Sequence, residues 1–241
     1  MCQELLQSFE ERKPANIYSY LIKFGMYRPN HKAYENYNKL KESNCWENAE
    51  GIFQKYRNKW KGPDIPVYIF PAAANTNIFY KSGSTKSGVA FKDKLFLFIS
   101  PQENEKQIEA LIIHEYHHTC RLNRKNKHQE DYTLLDSLVL EGLAEHAVVT
   151  YCGKKYRAKW CDYYTREEIE RYWKSFLSKE MQVKKDNRLH DEILYGHKGY
   201  PKLIGYAAGY EIVSSYYKEK KFRIEESFKL PSSNFIMGFP S

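Results

Sequence analysis

Residues 110–120 read ALIIHEYHHTC. Four apolar residues run into His114, Glu115, His117 and His118, which puts three of the chain's eight histidines within five positions. Residues 103–122 hold no glycine or proline, and Ile108, Leu111, Ile112 and Ile113 recur at helical spacing. The segment is therefore predicted to be one helix with its apolar part in the core. Positions four apart share a helix face, with Cβ atoms about 5–6 Å apart. His114 and His118 are so related, and two imidazoles at that spacing can reach one Zn²⁺ at roughly 2.0–2.1 Å. Glu115 follows the first of them and would stand beside the ion, where a carboxylate can take a proton from water. This is the HEXXH pattern. A helix with surface histidines is the plain alternative. The apolar run argues against it, because a pair in phase with a buried face needs a reason to be there.

A third ligand is required, and a second helix can supply it. Thr133-Leu-Leu-Asp136 is a capping box opening a helix through about Thr150, with Cys152-Gly153 ending it. Within it, LVLEGLAEH (138–146) sets Glu141 and Glu145 one turn apart among apolar neighbours. A carboxylate in such company is costly unless it is paired or bound to a metal. Glu141 is assigned as the third ligand, by its position before the small Gly142 that lets helices approach. Glu145 then accepts a hydrogen bond from a ligand histidine and fixes its tautomer. The exchange of these two roles stays open at this stage. His117 lies off the metal-facing positions and is read as solvent-facing or supporting a ligand, and His146 as structural. His31, His128 and His190 have no evident partners.

Outward from these helices the chain is ordinary in size and unusual in aromatics. It has 241 residues, 42% hydrophobic, with 21 Tyr and 13 Phe. Residues 1–60 read as helical, broken near Pro14, at 25–29 and at Ser43-Asn44. Their aromatics, spaced three and four apart, are predicted to pack on a core rather than to stack on bases. KGPDIP (61–66) is a turn, VYIF (67–70) a short buried strand, and 71–87 a loop. GVAFKDKLFLFIS (88–100) is one strand or a hairpin turning at Lys92-Asp93-Lys94. A third helix opens at Thr165-Arg-Glu-Glu168, and 199–220 turns at Pro201 and then runs helical, with Gly205 and Gly209 permitting close helix approach.

Five cysteines without a CxxC spacing fit reduced thiols in the cytoplasm. No apolar run is long enough to span a membrane, and MCQELLQSFEERK (1–13) does not read as a secretory signal. The net charge is +8, but Lys and Arg are scattered among acids, densest in RLNRKNKH (121–128). A solvated surface is favoured over nucleic-acid binding.

HEYHH (114–118) followed by EGLAEH (141–146) resembles the gluzincin type of zinc metalloprotease, and more closely the YjaZ-like family of predicted Zn-dependent proteases. GPDIPVYIFP (62–71), SGVAFKDKLFLFIS (87–100), TLLDSLVLEGLAEH (133–146) and GYAAGYEIV (205–213) carry the resemblance over most of the chain beyond residue 60. It implies an α+β, mainly helical zincin-like fold with a small sheet. The helical region 1–60 would pack on a catalytic part, 61–241, made of a sheet at 65–100, active-site helices at 103–150 and a helical C-terminal part. It also implies that an edge strand pairs with an extended peptide substrate. Gly88, Val89, Ala90 and Phe91 are the candidates, a plain core strand being the equal alternative.

The expected chemistry is peptide hydrolysis. His114, His118 and Glu141 hold Zn²⁺, which lowers the pKa of a water towards about 7. Glu115 takes the proton and passes it to the leaving amine. Tyr206 is the first choice as donor to the developing oxyanion and His197 the second, either fitting a core or surface role as well. The resemblance leaves a second reading, a regulatory or binding protein on the same fold that acts on heat-shock gene expression. The intact Glu115 favours the enzyme, since a structural site has no need of a general base.

Overall fold

The computed structural model describes residues 2–9, 13–73, 86–125 and 127–240. Most of the loop expected at 71–87, and one position of the basic stretch 121–128, lie outside the described residues. The N-terminal helices are α1 (Leu6–Phe9), α2 (Pro14–Lys23), α3 (His31–Glu42) and α4 (Cys45–Trp60). The breaks between the last three fall at the expected sites. Asn30 caps α3, its side chain accepting from the Ala33 amide at 2.8 Å. Asn44 and Lys61, both in the left-handed region, bound α4.

Three strands follow: β1 (Val67–Pro71), β2 (Lys86–Ala90) and β3 (Leu95–Ile99). The order is β1-β3-β2, with β1 parallel and β2 antiparallel to the central β3. Residues 88–100 thus form the hairpin, closed where the Phe91 amide donates to the Lys94 carbonyl at 3.0 Å. Every residue of β3 is buried. Leu95, Leu97 and Ile99 face the core shared with α4 and with residues 108–120, while Phe96 and Phe98 face the cluster containing Ile17 and Leu21 of α2. Burial on both faces explains why LFLFI is continuously apolar rather than alternating.

The long helices are α5 (Glu105–Arg124) and α6 (Leu134–Cys152), each opened by a capping box, Asn104 with Gln107 and Thr133 with Asp136. Next come α7 (Arg166–Tyr172), a widened turn over Trp173–Leu177, α8 (Ser178–Glu180), α9 (Arg188–Tyr195), α10 (Ile204–Glu219) and α11 (Ile224–Ser227). The result is an α+β fold, mostly helical with one small sheet.

Gly142 does permit a close approach, but to α10 rather than to α5. A Cβ there would lie 2.1 Å from the Gly209 carbonyl oxygen, and one on Gly209 would lie 2.0 Å from that of Leu138. Backbone stands on both sides, so no side chain can swing away. Gly209→Ala is expected to cost about 3 kcal/mol, lowering Tm by about 6–12 °C in a chain of this size. Thermal melts of the two proteins check this, and a shift within about 1 °C would contradict the packing.

α4 is locked to α5 by rings and one carboxylate. Tyr116 stacks on Trp60 and meets Phe53 edge-on. Glu109 accepts from Lys55 and Tyr56, each at 2.7 Å, and from Lys106 at 2.6 Å. Burial by itself raises the Glu109 pKa, but these three donors outweigh it and hold the group at about 2. A folded-state value below the unfolded 4.5 stabilises the protein above that pH, and the contribution disappears as pH falls from 4.5 towards 2. It is worth about 2 kcal/mol after allowance for the solvent-exposed lysine partners. The Tm gap between wild type and Glu109→Gln should therefore be wide at pH 6 and narrow by pH 3. An unchanged gap would count against this carboxylate cluster.

Candidate metal centre

α5 and α6 cross with His114, His118 and Glu141 facing one another, and the nitrogen and oxygen atoms they offer all lie within 4.8 Å. The two imidazole Nε2 atoms are 3.0 Å apart. Glu141 sets Oε2 3.3 Å from His114 Nε2 and Oε1 3.6 Å from His118 Nε2. All three side chains are largely buried. His114 Nδ1 sits 2.8 Å from Glu145 Oε1, and the other oxygen of Glu145 accepts the Ala158 amide at 2.9 Å. The two glutamates thus occupy different positions: Glu141 on the Nε2 side of both rings, Glu145 behind His114.

This donor set asks for a cation. With Nδ1 donating to Glu145, His114 presents a lone pair at Nε2. It faces a second imidazole and a carboxylate oxygen, Glu141 Oε2, that has no hydrogen-bond partner. With both rings neutral, three acceptors converging in a buried site repel unless positive charge lies between them. Burial lowers the His114 pKa and raises that of Glu141. Without an ion, attraction to Glu141 and Glu145 outweighs burial and holds His114 well above its ordinary value, while His118 and His114 hold Glu141 at about 2, so a proton supplies the positive charge that a bound cation would replace. A tetrahedral zinc with arms of about 2.0–2.1 Å separates its ligands by about 3.3–3.4 Å. The observed 3.0, 3.3 and 3.6 Å bracket that spacing. Two imidazoles and a carboxylate suit zinc, so the residues fit the ion.

Glu115 is buried beside the centre, and burial raises its carboxyl pKa against the opposing pull of His114 and His118. Gly88 of β2 lies directly on it. A Cβ at Gly88 would stand 2.6 Å from Glu115 Cγ and 2.8 Å from Oε1. The glycine makes room for this carboxylate, a reason the sequence does not display. β2 pairs with β3 on one side, and Gly88 is buried while Val89 and Ala90 are half-buried. A cleft of about 340 Å³ opens at His114 and Glu115, walled by Lys86, Arg157, Lys159 and Trp160 among others. Much of that wall comes from two short 3₁₀ turns, Lys154–Tyr156 and Lys159–Asp162, in which sequence periodicity marks no function.

The remaining candidates fall elsewhere. Tyr206 is buried edge-on against Trp160, with Tyr195 5.8 Å away between ring centres. His197 is exposed, 6.1 Å from Tyr195. Neither is among the described residues that line the cleft. His117 is not solvent-facing. It is fully buried, 3.1 Å from Ser227 Oγ and packed on Phe228, because the C-terminal segment covers that side of α5. His146 packs between Tyr217 and Phe222, where burial keeps it neutral with a pKa of about 4. His190 has partners after all, Ser137 Oγ at 2.9 Å and Asp191 at 2.8 Å.

The chain belongs to the family described as predicted Zn-dependent protease (DUF2268), whose model matches residues 45–237. The resemblance to the YjaZ-like family of predicted Zn-dependent proteases is thereby borne out. The chain is 36% identical over 234 residues to the uncharacterized protein YjaZ of Bacillus subtilis, covering 96% of this chain and 89% of that one. It is 25% identical over 215 residues to the uncharacterized protein YjfC of the same organism, covering 82% and 71%. No solved structure matches it at a significant level. Among the described residues no helix is long and apolar enough to cross a membrane.

Proposed function

We propose that the chain is a zinc-dependent metallopeptidase of the gluzincin type, hydrolysing peptide bonds in a peptide or protein substrate. The observation that supports this most is the convergence of His114, His118 and Glu141 beside a buried Glu115. Those three side chains would hold the ion, which when bound supplies a Lewis acid and a more acidic water. Glu145 accepts from His114 Nδ1 and so orients the ring and selects the tautomer whose Nε2 can bind the ion. Glu115 takes the proton of the attacking water and delivers it to the leaving amine nitrogen, so that its own charge is restored. Gly88, Val89 and Ala90 offer an edge strand along which an extended peptide would pair, with its backbone running past Glu115. Tyr206 touches the cleft only through Trp160, so donation to the developing oxyanion by Tyr206, or by His197 as the alternative, requires that wall to move when substrate binds. The helices of residues 1–60 pack on this zincin-like part. We place the protein in the cytoplasm, a reading supported by five unpaired thiols.

The test is cleavage of a quenched-fluorescent peptide library by the zinc-loaded chain. Cleavage should stop on treatment with 1,10-phenanthroline and return with added zinc. Cleavage that survives metal removal would overturn the assignment.

A further inference from the structure

Away from the metal centre, Lys59, Lys61, Arg124, Arg223 and Lys229 surround a cavity of about 330 Å³ floored by Trp60 and Phe228. Glu225 is the single acid among its described lining residues. The five cations come from the end of α4, the end of α5 and the flanks of α11, so the scatter of basic residues along the sequence becomes a cluster in space. Few are neutralised locally. Arg223 pairs with Glu226 at 2.9 Å, whereas Arg124 donates to the Lys61 carbonyl at 3.1 Å and has no ion pair among the described residues. Lys59 leans over the Tyr151 ring. Behind the rim, Lys125 is pinned to the Lys229 and Leu230 carbonyls, and burial with the nearby Arg121 and Lys127 outweighs the pull of Asp136 and lowers its pKa to about 8. The neighbourhood is short of negative charge, and a concave wall focuses the resulting field.

We propose that this pocket binds a small ligand bearing two or three linked phosphates. Several cations around one cavity of about 330 Å³ suit clustered anionic charge on a small ligand, whereas a nucleic acid needs basic residues continued along a face beyond one cavity. The floor also touches the metal-bearing helix. Phe228 and Trp60 pack on His117 at 5.0 and 6.1 Å between ring centres, and His117 stands between His114 and His118 on α5. This site does not depend on the peptidase reading.

Calorimetric titration of the zinc-loaded chain with tripolyphosphate and with ATP tests it, zinc content being measured before and after so that chelation is separated from binding. Both should bind one per chain. Similar affinities mean that the phosphates are the recognised group, and tighter ATP that the nucleoside adds contacts; either supports the pocket. Lys59→Glu with Lys229→Glu should weaken binding at least about tenfold. Lys39→Glu with Lys174→Glu, equal in charge but distant, should leave it unchanged. The proposal is overturned by no binding at millimolar ligand or by equal weakening in both double variants. It is also overturned if a DNA duplex binds while the small phosphates do not.

Discussion

Glu115→Gln is expected to retain zinc and lose about 10²–10⁴ in kcat, the usual contribution of a positioned general base. The substitution keeps the shape of the side chain, so the tight seat under Gly88 stays filled. Among the described residues at the centre, it removes the carboxylate that is neither in the converging donor set nor behind His114. Metal content should remain near one zinc per chain, and KM should change little, because the peptide is held by backbone pairing and the cleft walls. Activity equal to wild type would show that another group moves the proton. Loss of zinc together with activity would mean that Glu115 belongs to the metal set.

Glu141→Ala and Glu145→Ala should separate cleanly. Glu141 is the carboxylate that faces both Nε2 atoms. Removing it leaves two donors of three, and zinc affinity should fall by more than about 100-fold. Glu145 touches only the far nitrogen of His114 and the Ala158 amide. Its loss frees the imidazole tautomer and orientation, for which about 10–100-fold is expected. Competition against a zinc chelator measures both. The reverse order would exchange the two roles.

Much of the centre was legible before any coordinates. Helix periodicity and the four-residue spacing of His114 and His118 fix a shared face, and the cost of an apolar-flanked carboxylate singles out Glu141 and Glu145. The capping boxes at Thr133 and Thr165 begin helices in the structure as their local chemistry dictates. What could not be read were pairings between distant segments. Gly142 announces a close approach but not its partner, which is α10. His117 looks exposed when only α5 is considered, and is buried by residues more than 100 positions away. The cleft wall at 154–162 consists of short turns with no periodic signal, and the reason for Gly88 is a contact with a residue on another element. The basic pocket is invisible for the same cause, since its cations are spread from position 59 to 229.

The most direct measurement is anomalous diffraction at the zinc edge from crystals of the zinc-loaded chain. The account predicts one strong peak within about 2.0–2.2 Å of His114 Nε2, His118 Nε2 and a Glu141 oxygen. A peak elsewhere, or imidazoles that point away from a common site in the zinc-loaded crystal, would contradict it.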